Sequence, residues 1–179
     1  MTYLKNKYIL KSNVFLIGFM GAGKTEVAKK MSQICGIDFF DTDDFIVKTS
    51  RKSISELITE KSQNEFRKLE NIAIEQSIKQ KQIVATGGGC VENSNSVDIL
   101  KQGYCVMLDV NYKTAYSRVL ESSSRPLLSN FESGEELFNK RAKLYEQLAD
   151  YKINTKNKSV DVVAKEIIDH LLKEEVMLR

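Results

Sequence analysis

The residues best suited to chemistry in this chain form one continuous stretch, Gly18 to Thr25, with the sequence Gly-Phe-Met-Gly-Ala-Gly-Lys-Thr. Glycines at this spacing before Lys-Thr fit the P-loop pattern, in which backbone N–H groups cradle phosphates, the lysine reaches the β and γ phosphates and the hydroxyl binds magnesium. The apolar run Val14 to Ile17 precedes the stretch, and strong helix formers follow it from Glu26 to Met31. A plain glycine turn is the alternative, but this strand-loop-helix setting predicts a site for a nucleoside triphosphate.

Two carboxylates follow the second predicted strand. Asp41 and Asp43 come directly after an apolar Phe-Phe pair, and parallel α/β sheets bind ligands at the carboxyl ends of their strands. Either aspartate could simply cap the helix predicted for Asp44 to Lys48. A magnesium nucleotide, however, needs a carboxylate near the hydroxyl of Thr25. The P-loop upstream therefore favours a binding role for these carboxylates.

Two further motifs indicate contact with a ligand. Arg67 and Glu70 stand three residues apart on a predicted helix, so the glutamate can orient the guanidinium. An ordinary surface ion pair is the alternative. Gly87, Gly88 and Gly89 follow the third predicted strand. Three successive glycines predict that a ligand approaches the backbone closely, although a plain turn is the simpler alternative.

Three arginines in the second half of the chain could also contact anions. Arg118 on a predicted helix and Arg125 in a long polar stretch could reach a triphosphate from the side opposite the P-loop. That stretch, about residues 122 to 134, holds the only proline, Pro126. Long connections inside compact domains are commonly lids, so we expect one here. Arg141 lies on the next predicted helix, where a lone arginine is usually solvated.

The elements that must position these residues alternate between short apolar runs and longer helical patterns, which predicts βαβ units around a parallel sheet. The predicted strands are Val14 to Ile17, Asp38 to Asp41, Gln82 to Ala85, Tyr104 to Asp109 and Tyr151 to Thr155. Capping boxes begin at Ser53 and Ser62. The second opens a helix through about Lys79, whose predicted buried side is Phe66, Leu69, Ile72 and Ala73. Apolar residues at helical spacing predict a last helix from Ser159.

Composition narrows the class of protein. A chain of 179 residues with 42% hydrophobic content is long enough for one buried core, which predicts a single domain. The net charge is +3 without a basic stripe, so we expect no nucleic-acid partner. No run approaches the roughly 20 apolar residues that span a bilayer, so we expect no membrane partner. The widely spaced Cys35, Cys90 and Cys105 predict buried, reduced thiols of a cytoplasmic protein. His170, the only histidine, is predicted at a solvated helix position.

In this order, the motifs resemble those of shikimate kinase, a small P-loop enzyme family of aromatic amino-acid biosynthesis. They run from about residue 13 to 155 and comprise Gly18 to Thr25, Asp41 to Asp43, Phe66-Arg67 with Glu70, Gly87 to Gly89, Arg125 to Leu128 and Arg141 with Leu144-Tyr145. The resemblance implies a three-layer α/β/α fold with a five-stranded parallel sheet, of the nucleoside-monophosphate-kinase type. It also implies that the γ-phosphoryl group of ATP passes to the 3-hydroxyl of shikimate, giving shikimate 3-phosphate and ADP with Mg²⁺ as cofactor.

The resemblance assigns roles to individual residues. It implies catalytic roles for Lys24, Asp43 and Arg125, and it implies that Thr25 and Asp41 hold Mg²⁺. The implied ATP contacts are Gly21, Ala22, Gly23, Lys24, Thr25, Glu26, Arg118, Arg125, Thr155 and Lys156. The implied shikimate contacts are Asp43, Arg67, Gly87, Gly88, Gly89 and Arg141. Glu26 departs from the family, which commonly carries Ser or Thr at that position, and its carboxylate would repel the α-phosphate unless it turns outward.

The resemblance also implies a monomer with one kinase domain over residues 13 to 179. Its substrate-binding helical region would cover about residues 42 to 80 and its lid about residues 122 to 134. Residues 1 to 12 have no counterpart among the motifs and are expected to be a loosely ordered extension. Two other functions stay open at this point: a related kinase for another small polyol acid such as gluconate, and a nucleotide-sensing module without turnover.

Overall fold

A five-stranded parallel sheet flanked by helices forms the centre of the computed structural model, which describes residues 8–60, 63–121 and 131–179. The strands are β1 Ile9–Leu10, β2 Val14–Ile17, β3 Phe39–Asp41, β4 Ile83–Ala85, β5 Tyr104–Asp109, β6 Tyr151–Asn154 and β7 Met177–Leu178. The α-helices are α1 Lys24–Cys35, α2 Thr42–Ser50, α3 Ile54–Glu60, α4 Gln63–Ser77, α5 Ser94–Leu100, α6 Tyr112–Glu121, α7 Phe131–Leu148 and α8 Val160–Lys173. A 3-10 turn covers Cys90–Glu92.

The sheet order is β3-β4-β2-β5-β6, so the predicted fold class and all five predicted strands are confirmed. The register pairs Leu16 of β2 with Ala85 of β4, and Ala85 with Asp41 of β3. The carboxyl ends of these three strands therefore lie side by side. The P-loop after β2, the aspartates after β3 and the glycines after β4 consequently meet at one edge of the sheet.

Two hydrophobic cores hold the chain together. The main core joins β2, β4 and β5 to helices such as α1 and α8. A second, smaller core consists of Ile46, Leu57, Phe66 and Ala73 from α2, α3 and α4. These three helices carry Asp43 and Arg67 and cover most of the predicted substrate-binding region. That region therefore has a core of its own, while Ile74 of α4 also joins the core that supports the P-loop.

Local side-chain hydrogen bonds start two helices as predicted. The backbone N–H of Ser53 donates to Glu56 Oε2 (2.7 Å), and the backbone N–H of Glu56 donates to Ser53 Oγ (3.2 Å). These bonds form the capping box. The hydroxyl of Ser53 also donates to Glu56 Oε2 (2.7 Å), and this bond, together with the one from the Ser53 N–H, holds the pKa of Glu56 below its ordinary value. The hydroxyl of Ser159 accepts from the N–H of Val162 at the start of α8. The capping box predicted at Ser62 lies outside the described residues.

Three sequence expectations are wrong. Tyr8 and Leu10 are buried, and β1 pairs antiparallel with β7 at the other end of the chain. Residues 8 to 10 are therefore not loosely ordered, while residues 1 to 7 lie outside the described residues. Ile72 faces solvent and Ile74 is buried instead. His170 is half-buried because it stacks on Tyr151 and forms a 2.9 Å hydrogen bond with the hydroxyl of Tyr104.

Other structural features agree with the sequence. Cys35, Cys90 and Cys105 are buried free thiols, as predicted. Burial raises the pKa of Cys35 and Cys90 to about 11 and that of Cys105 to about 12. Across the ranges that the structure covers, no helix is long and apolar enough to cross a membrane. The predicted lid lies outside the described residues up to residue 130, and residues 131 to 134 begin α7.

Candidate active site

The loop between β2 and α1 has the backbone conformation that the P-loop pattern requires. Gly21 has a positive φ of 78°, and a Cβ there would lie 2.5 Å from the carbonyl oxygen of Ala115 on α6. Gly18 has a φ of 140°, and a Cβ there would lie 2.8 Å from the carbonyl oxygen of Leu108 on β5. Any side chain at either position would push the loop away from the elements beneath it. These glycines therefore seat the loop directly on the main core.

The lysine of the loop is buried and bonded to the loop itself. Lys24 Nζ donates to the carbonyl oxygens of Gly18 (2.8 Å) and Phe19 (2.9 Å). Two hydrogen bonds of the ammonium are thus to neutral acceptors, which are weaker partners for a cation than phosphate oxygens. A phosphate bound in the loop offers the better partner within the reach of this flexible side chain.

The first aspartate, Asp41, caps a helix and also bonds to the P-loop. Asp41 Oδ1 accepts from the backbone N–H groups of Asp43 (2.9 Å) and Asp44 (3.1 Å), which caps α2. Its other oxygen, Oδ2, accepts from the hydroxyl of Thr25 at 2.6 Å. Burial raises the pKa of Asp41 above its ordinary value, although the bond from Thr25 opposes this effect. One side chain therefore starts the helix and lies beside the P-loop hydroxyl.

The oxygens of Thr25 and Asp41 are the hard ligands that Mg²⁺ prefers. Within the described ranges, no group of three or more acidic, histidine or cysteine side chains could hold a metal ion by itself. Mg²⁺ in kinases is usually bound by one or two protein oxygens together with substrate phosphates and water. The pair therefore fits a Mg²⁺ ion that arrives with a nucleotide.

Two adjoining cavities lie over the P-loop, and together we call them the donor cavity. The first has a volume of about 340 Å³ and is lined by Met20, Gly21, Gly23, Lys24, Thr25, Glu26, Asp41, Asp43, Thr86, Arg118 and Val119. The second has a volume of about 290 Å³ and is lined by Ala22, Gly23, Glu26, Val27, Arg118, Thr155, Lys158, Val160 and Val163. Because they share Gly23, Glu26 and Arg118, they form one cleft from the aspartates to an apolar end.

The residues at the apolar end differ in part from those predicted. The Arg118 guanidinium donates to the carbonyl oxygen of Gly21 (3.1 Å), and the Thr155 hydroxyl donates to that of Asp109 (2.9 Å). Lys156 is exposed, and its backbone N–H donates to Asn154 Oδ1. Lys158 lines the cavity, although no sequence signal singled it out. Glu26 is exposed on the first turn of α1 at the rim of the cleft.

On the other side of Asp43, the Arg67–Glu70 pair is largely buried. Arg67 Nη1 donates to Glu70, and their side chains are only 16% and 8% exposed. Burial alone would lower the pKa of Arg67, but the charge and hydrogen bond of Glu70 raise it above its ordinary value. Burial raises the pKa of Glu70 despite the nearby arginine. The alternative of an ordinary surface ion pair is therefore wrong.

The three glycines after β4 lie directly against charged side chains. A Cβ at Gly89 would lie 1.7 Å from Arg67 Nη1, and a Cβ at Gly87 would lie 2.8 Å from Asp43 Oδ1. The carbonyl oxygen of Gly88 accepts from the buried hydroxyl of Tyr145 (2.5 Å). A side chain at Gly87 or Gly89 would displace Asp43 or Arg67, whereas a Cβ at Gly88 would make only ordinary contacts. The chain does turn at Gly88 and Gly89, and the close approach of Asp43 and Arg67 adds a requirement for glycine at positions 87 and 89.

Arg141 on α7 is buried rather than solvated, because only 2% of its side chain is exposed. Its main partner is Glu92, which was not predicted from the sequence. Glu92 Oε2 accepts from Arg141 Nε (3.0 Å) and Nη2 (2.6 Å), and also from Arg67 Nη2 (2.9 Å). Glu92 Oε1 accepts from Lys140 Nζ (3.0 Å). The only sequence signal for Glu92 was its position shortly after the three glycines.

A small pocket lies between these groups, and we call it the acceptor pocket. Its lining residues are Met20, Asp43, Ile54, Ile58, Phe66, Arg67, Glu70, Gly88, Gly89 and Arg141. One wall is apolar and the other carries two arginines, which suits a small anion with a carbon ring. Its volume is about 10 Å³, which is room for about one water molecule. A larger ligand therefore requires these walls to move apart.

Asp43 and Met20 line both the donor cavity and the acceptor pocket, and Asp43 is the charged side chain at this junction. A phosphate-binding loop and an anion-binding pocket thus share one carboxylate. This arrangement can transfer a phosphoryl group to a hydroxyl of a small acid. Arg125, predicted to close over the phosphates, lies outside the described residues. The roles predicted for the other site residues stay predictions.

Comparisons with known proteins agree with the family resemblance that the sequence motifs show. The family model described as shikimate kinase matches residues 20–172. A shikimate kinase of Buchnera aphidicola subsp. Schizaphis graminum is 39% identical over 170 residues, which is 92% of this chain and 98% of that protein. A shikimate kinase of Persephonella marina is 37% identical over 162 residues, covering 89% of this chain and 98% of that protein.

Comparison with solved structures supports the same family. A shikimate kinase from Acinetobacter baumannii in complex with shikimate superposes with a TM-score of 0.86 at 28% identity, over 91% of this chain and 94% of that one. A gluconokinase from Sinorhizobium meliloti gives a TM-score of 0.61 at 13% identity over 92% and 94% of the two chains, which shows a shared fold alone. With the family model and relatives covering most of its length, this chain belongs to the shikimate kinase family.

Proposed function

We propose that this chain transfers the γ-phosphoryl group of ATP to the 3-hydroxyl of shikimate, giving shikimate 3-phosphate and ADP. The observation that carries the proposal is the position of Asp43, which lies between a P-loop cavity and a pocket walled by the buried Arg141 and the largely buried Arg67. A kinase needs its acceptor hydroxyl at such a junction, in line with the γ-phosphate.

On the donor side, the N–H groups from Gly21 to Thr25 hold the phosphates. Lys24 exchanges its bonds to the loop carbonyls for bonds to phosphate oxygens, which are charged and so stronger acceptors. Thr25 and Asp41 hold Mg²⁺, which when bound neutralises charge developing on the phosphates. The adenosine occupies the apolar end of the cleft, between Arg118 and Thr155.

On the acceptor side, Arg67 and Arg141 bind the carboxylate of shikimate. Guanidinium groups suit this task because their planar N–H groups match carboxylate oxygens. The N–H groups of Gly88 and Gly89 bind the same molecule, and Ile54, Ile58 and Phe66 pack against its ring. Selectivity for an anionic acid follows from two arginines on a single small pocket.

Asp43 orients the reacting hydroxyl toward the γ-phosphate. A loose phosphoryl-transfer transition state needs little early removal of the hydroxyl proton. The gain from Asp43 therefore comes mainly from fixing the direction of attack, and the carboxylate accepts the proton late in the transfer. Arg125 and the lid of about residues 122 to 134 are proposed to close over the phosphates and exclude water.

Substrate entry requires the acceptor pocket to widen. Helices α2, α3 and α4 carry Asp43, Arg67 and three apolar lining residues, and they share the smaller core. Because α2 and α3 pack in the smaller core and only α4 also contributes a buried side chain, Ile74, to the main core, we expect α2 and α3 to shift with little disturbance of the loop. The domain proposal is one kinase domain over residues 13 to 179 that contains this substrate-binding region.

We also propose that the enzyme acts as a monomer in the cytoplasm, without nucleic-acid or membrane partners. Support comes from the described residues of the site, since one chain carries both donor-side and acceptor-side groups. The net charge of +3 without a basic stripe supports the absence of a nucleic-acid partner. Size-exclusion chromatography with light scattering measures the oligomeric state directly.

A coupled assay of ADP release with shikimate, with gluconate and without an acceptor tests the proposed reaction. We expect release that depends on both shikimate and Mg²⁺, with only background rates in the other two reactions. Release stimulated by gluconate instead would support a related sugar-acid kinase. ADP release that shikimate does not change would reject the proposal.

A further inference from the structure

We propose that Glu92 is a positioning residue, which holds Arg67 and Arg141 at the spacing that receives the carboxylate of the acceptor. This inference rests on the proposed function, because it takes these two arginines as the groups that bind shikimate. It adds a residue on a third element to the acceptor site and gives that residue a measurable effect on substrate affinity.

The geometry places Glu92 behind the two arginines rather than in front of them. Both guanidinium groups line the acceptor pocket, whereas Glu92 is not among the lining residues. A single oxygen, Oε2, accepts from Arg67 Nη2 and from Nε and Nη2 of Arg141. In Arg141, these bonds occupy the edge of the guanidinium that is formed by Nε and Nη2. Its remaining nitrogen, Nη1, lies 3.7 Å from a Cβ built on Gly88, on the pocket side.

Electrostatics explains why such a bridge is needed. Two guanidinium groups that share one hydrogen-bond acceptor are close enough to repel each other strongly in a site with little water. Glu92 places a negative charge between them, and its side chain is only 16% exposed. Burial alone would raise the pKa of Glu92, but Arg141, Lys140 and Arg67 bring it below its ordinary value. The carboxylate therefore stays charged at neutral pH.

Glu92 also differs from the other glutamate of the network in what it connects. Glu70 binds Arg67 from the same helix, three residues away. Glu92 lies in the turn after the three glycines and joins Arg67 on α4 to Arg141 on α7. Lys140 binds its second oxygen and so restricts rotation of the carboxylate. Glu70 can orient one arginine, but Glu92 sets the distance between the two.

The rival interpretation is that Glu92 competes with the substrate carboxylate for the arginines. The two interpretations predict opposite changes in KM. If Glu92 competes with the substrate, neutralising it leaves a more positive pocket, and KM for shikimate falls. A positioning residue, once neutralised, leaves two repelling arginines at the wrong spacing and raises it.

Steady-state kinetics of Glu92→Gln distinguish these outcomes. We expect KM for shikimate to rise about tenfold, the loss expected for one charge-assisted hydrogen bond, with kcat within about threefold of wild type. KM for ATP should stay within about twofold, because the donor cavity does not contact Glu92. The matched control is Glu75→Gln, which removes an exposed charge from α4 and should change neither KM.

A second variant covers the case in which Glu92→Gln does not fold. Glu92→Asp keeps the charge but is shorter by one methylene, and we expect it to raise KM for shikimate about threefold through misplacement of the arginines. Thermal unfolding of each variant shows whether it is folded. A double variant that combines the Glu92 change with Arg67→Lys should raise KM for shikimate by less than the product of the two single increases, because both changes act on the same contact.

The outcomes separate the two proposals. If wild type shows no shikimate-dependent ADP release, the proposed function fails and the role of Glu92 fails with it. If wild type is active but Glu92→Gln has an unchanged or lower KM for shikimate, only the role of Glu92 is rejected. A raised KM with intact kcat and unchanged KM for ATP supports it.

Discussion

The donor and acceptor sides of this site are built in different ways. The donor side uses the backbone of one continuous loop, seated on the main core by glycines such as Gly18 and Gly21. The acceptor side uses long charged side chains, Arg67, Arg141 and Glu92, which converge from three elements. Once the loop is held in place, the positions of its backbone N–H groups are set. Long side chains, in contrast, need hydrogen-bond or ionic partners to hold their charged groups in position. The acceptor side is therefore the more sensitive to remote substitutions.

The two sides also differ in the cost of losing one member. Removing one partner from a buried ion network leaves an uncompensated charge, which typically costs about 3–5 kcal/mol. The acceptor side carries such a network, and Arg141 in it is only 2% exposed. The donor side contains Lys24, which is bonded to neutral carbonyl groups. Four substitutions test this contrast, in order of decreasing effect.

The largest effect is expected at the residue that both sides share. Asp43→Asn should lower kcat about a thousandfold, because the reacting hydroxyl loses both its orientation and its proton acceptor. ATP should still bind with nearly the wild-type affinity, which calorimetry with the nucleotide measures. Asp44→Asn makes the same change one residue away at an exposed position and should leave kcat unchanged. Wild-type turnover in the Asp43 variant would remove this residue from the mechanism.

A smaller loss is expected when the donor side loses its carboxylate. Asp41→Asn should lower kcat about a hundredfold and raise the Mg²⁺ concentration needed for half-maximal activity, because a ligand charge is lost. An asparagine oxygen still caps α2, so the fold is kept. Titrating activity with Mg²⁺ measures both effects. An unchanged Mg²⁺ requirement would contradict the role of Asp41 as a metal ligand.

The same variant makes a prediction about stability. The pKa of Asp41 is raised in the folded state, so its contribution to stability is complete below the ordinary aspartate pKa and is lost as pH rises through the raised value. At neutral pH the ionised carboxylate therefore destabilises the fold without ligands. Asp41→Asn should raise Tm by about 2 °C at pH 7 and have no such effect near pH 3. Asp38→Asn, at an exposed site, serves as the control.

On the acceptor side, Arg141→Lys should raise KM for shikimate about thirtyfold, because one ammonium cannot replace a guanidinium that bonds through Nε and Nη2. The change should also lower Tm, since the buried Glu92 loses well-aligned partners. KM for ATP should not change. Lys143→Ala, at an exposed position of the same helix, should leave all three quantities unchanged. A matching rise in KM for ATP would show that the two sides are not independent.

The smallest effect is expected at the rim of the donor cavity. Glu26→Ser should lower KM for ATP about twofold, because an exposed carboxylate repels the nucleotide only weakly through solvent. Added salt should reduce the difference between wild type and variant. Glu75→Ser is the control for loss of an exposed charge elsewhere. A higher KM in the Glu26 variant would mean that this carboxylate assists nucleotide binding.

The donor side could be predicted from the sequence because its information is local. Eight consecutive residues specify the loop, and the preceding apolar run specifies the strand. The five strands of the central sheet were predictable for the same reason. Strands β1 and β7 were not, because two residues give no periodicity and their partners lie at opposite ends of the chain. The half-buried position of His170 likewise depends on Tyr104 and Tyr151, which are distant in sequence.

The acceptor side was only partly predictable. Arg67 with Glu70 and the run of glycines stand out locally, but nothing near Arg141 in the sequence indicates that it is buried. Glu92 lies 25 residues from Arg67 and 49 from Arg141, so its contacts exist only after folding. Lys158 could not be predicted for the same reason, since its place in the cleft depends on how α8 packs against the P-loop helix.

The separate core of α2, α3 and α4 has a consequence for how the molecule opens. Among the described residues, the smaller core has four buried apolar side chains, and α4 adds Ile74 to the main core, which links the strands of the central sheet. Regions with few buried apolar contacts unfold locally at lower free energy than the body that carries them. Amide protons of these helices should thus exchange with solvent before those of β2 and β5. Binding of the acceptor would protect these amide protons from exchange. Part of the intrinsic binding free energy of the acceptor therefore goes into ordering the pocket that recognises it.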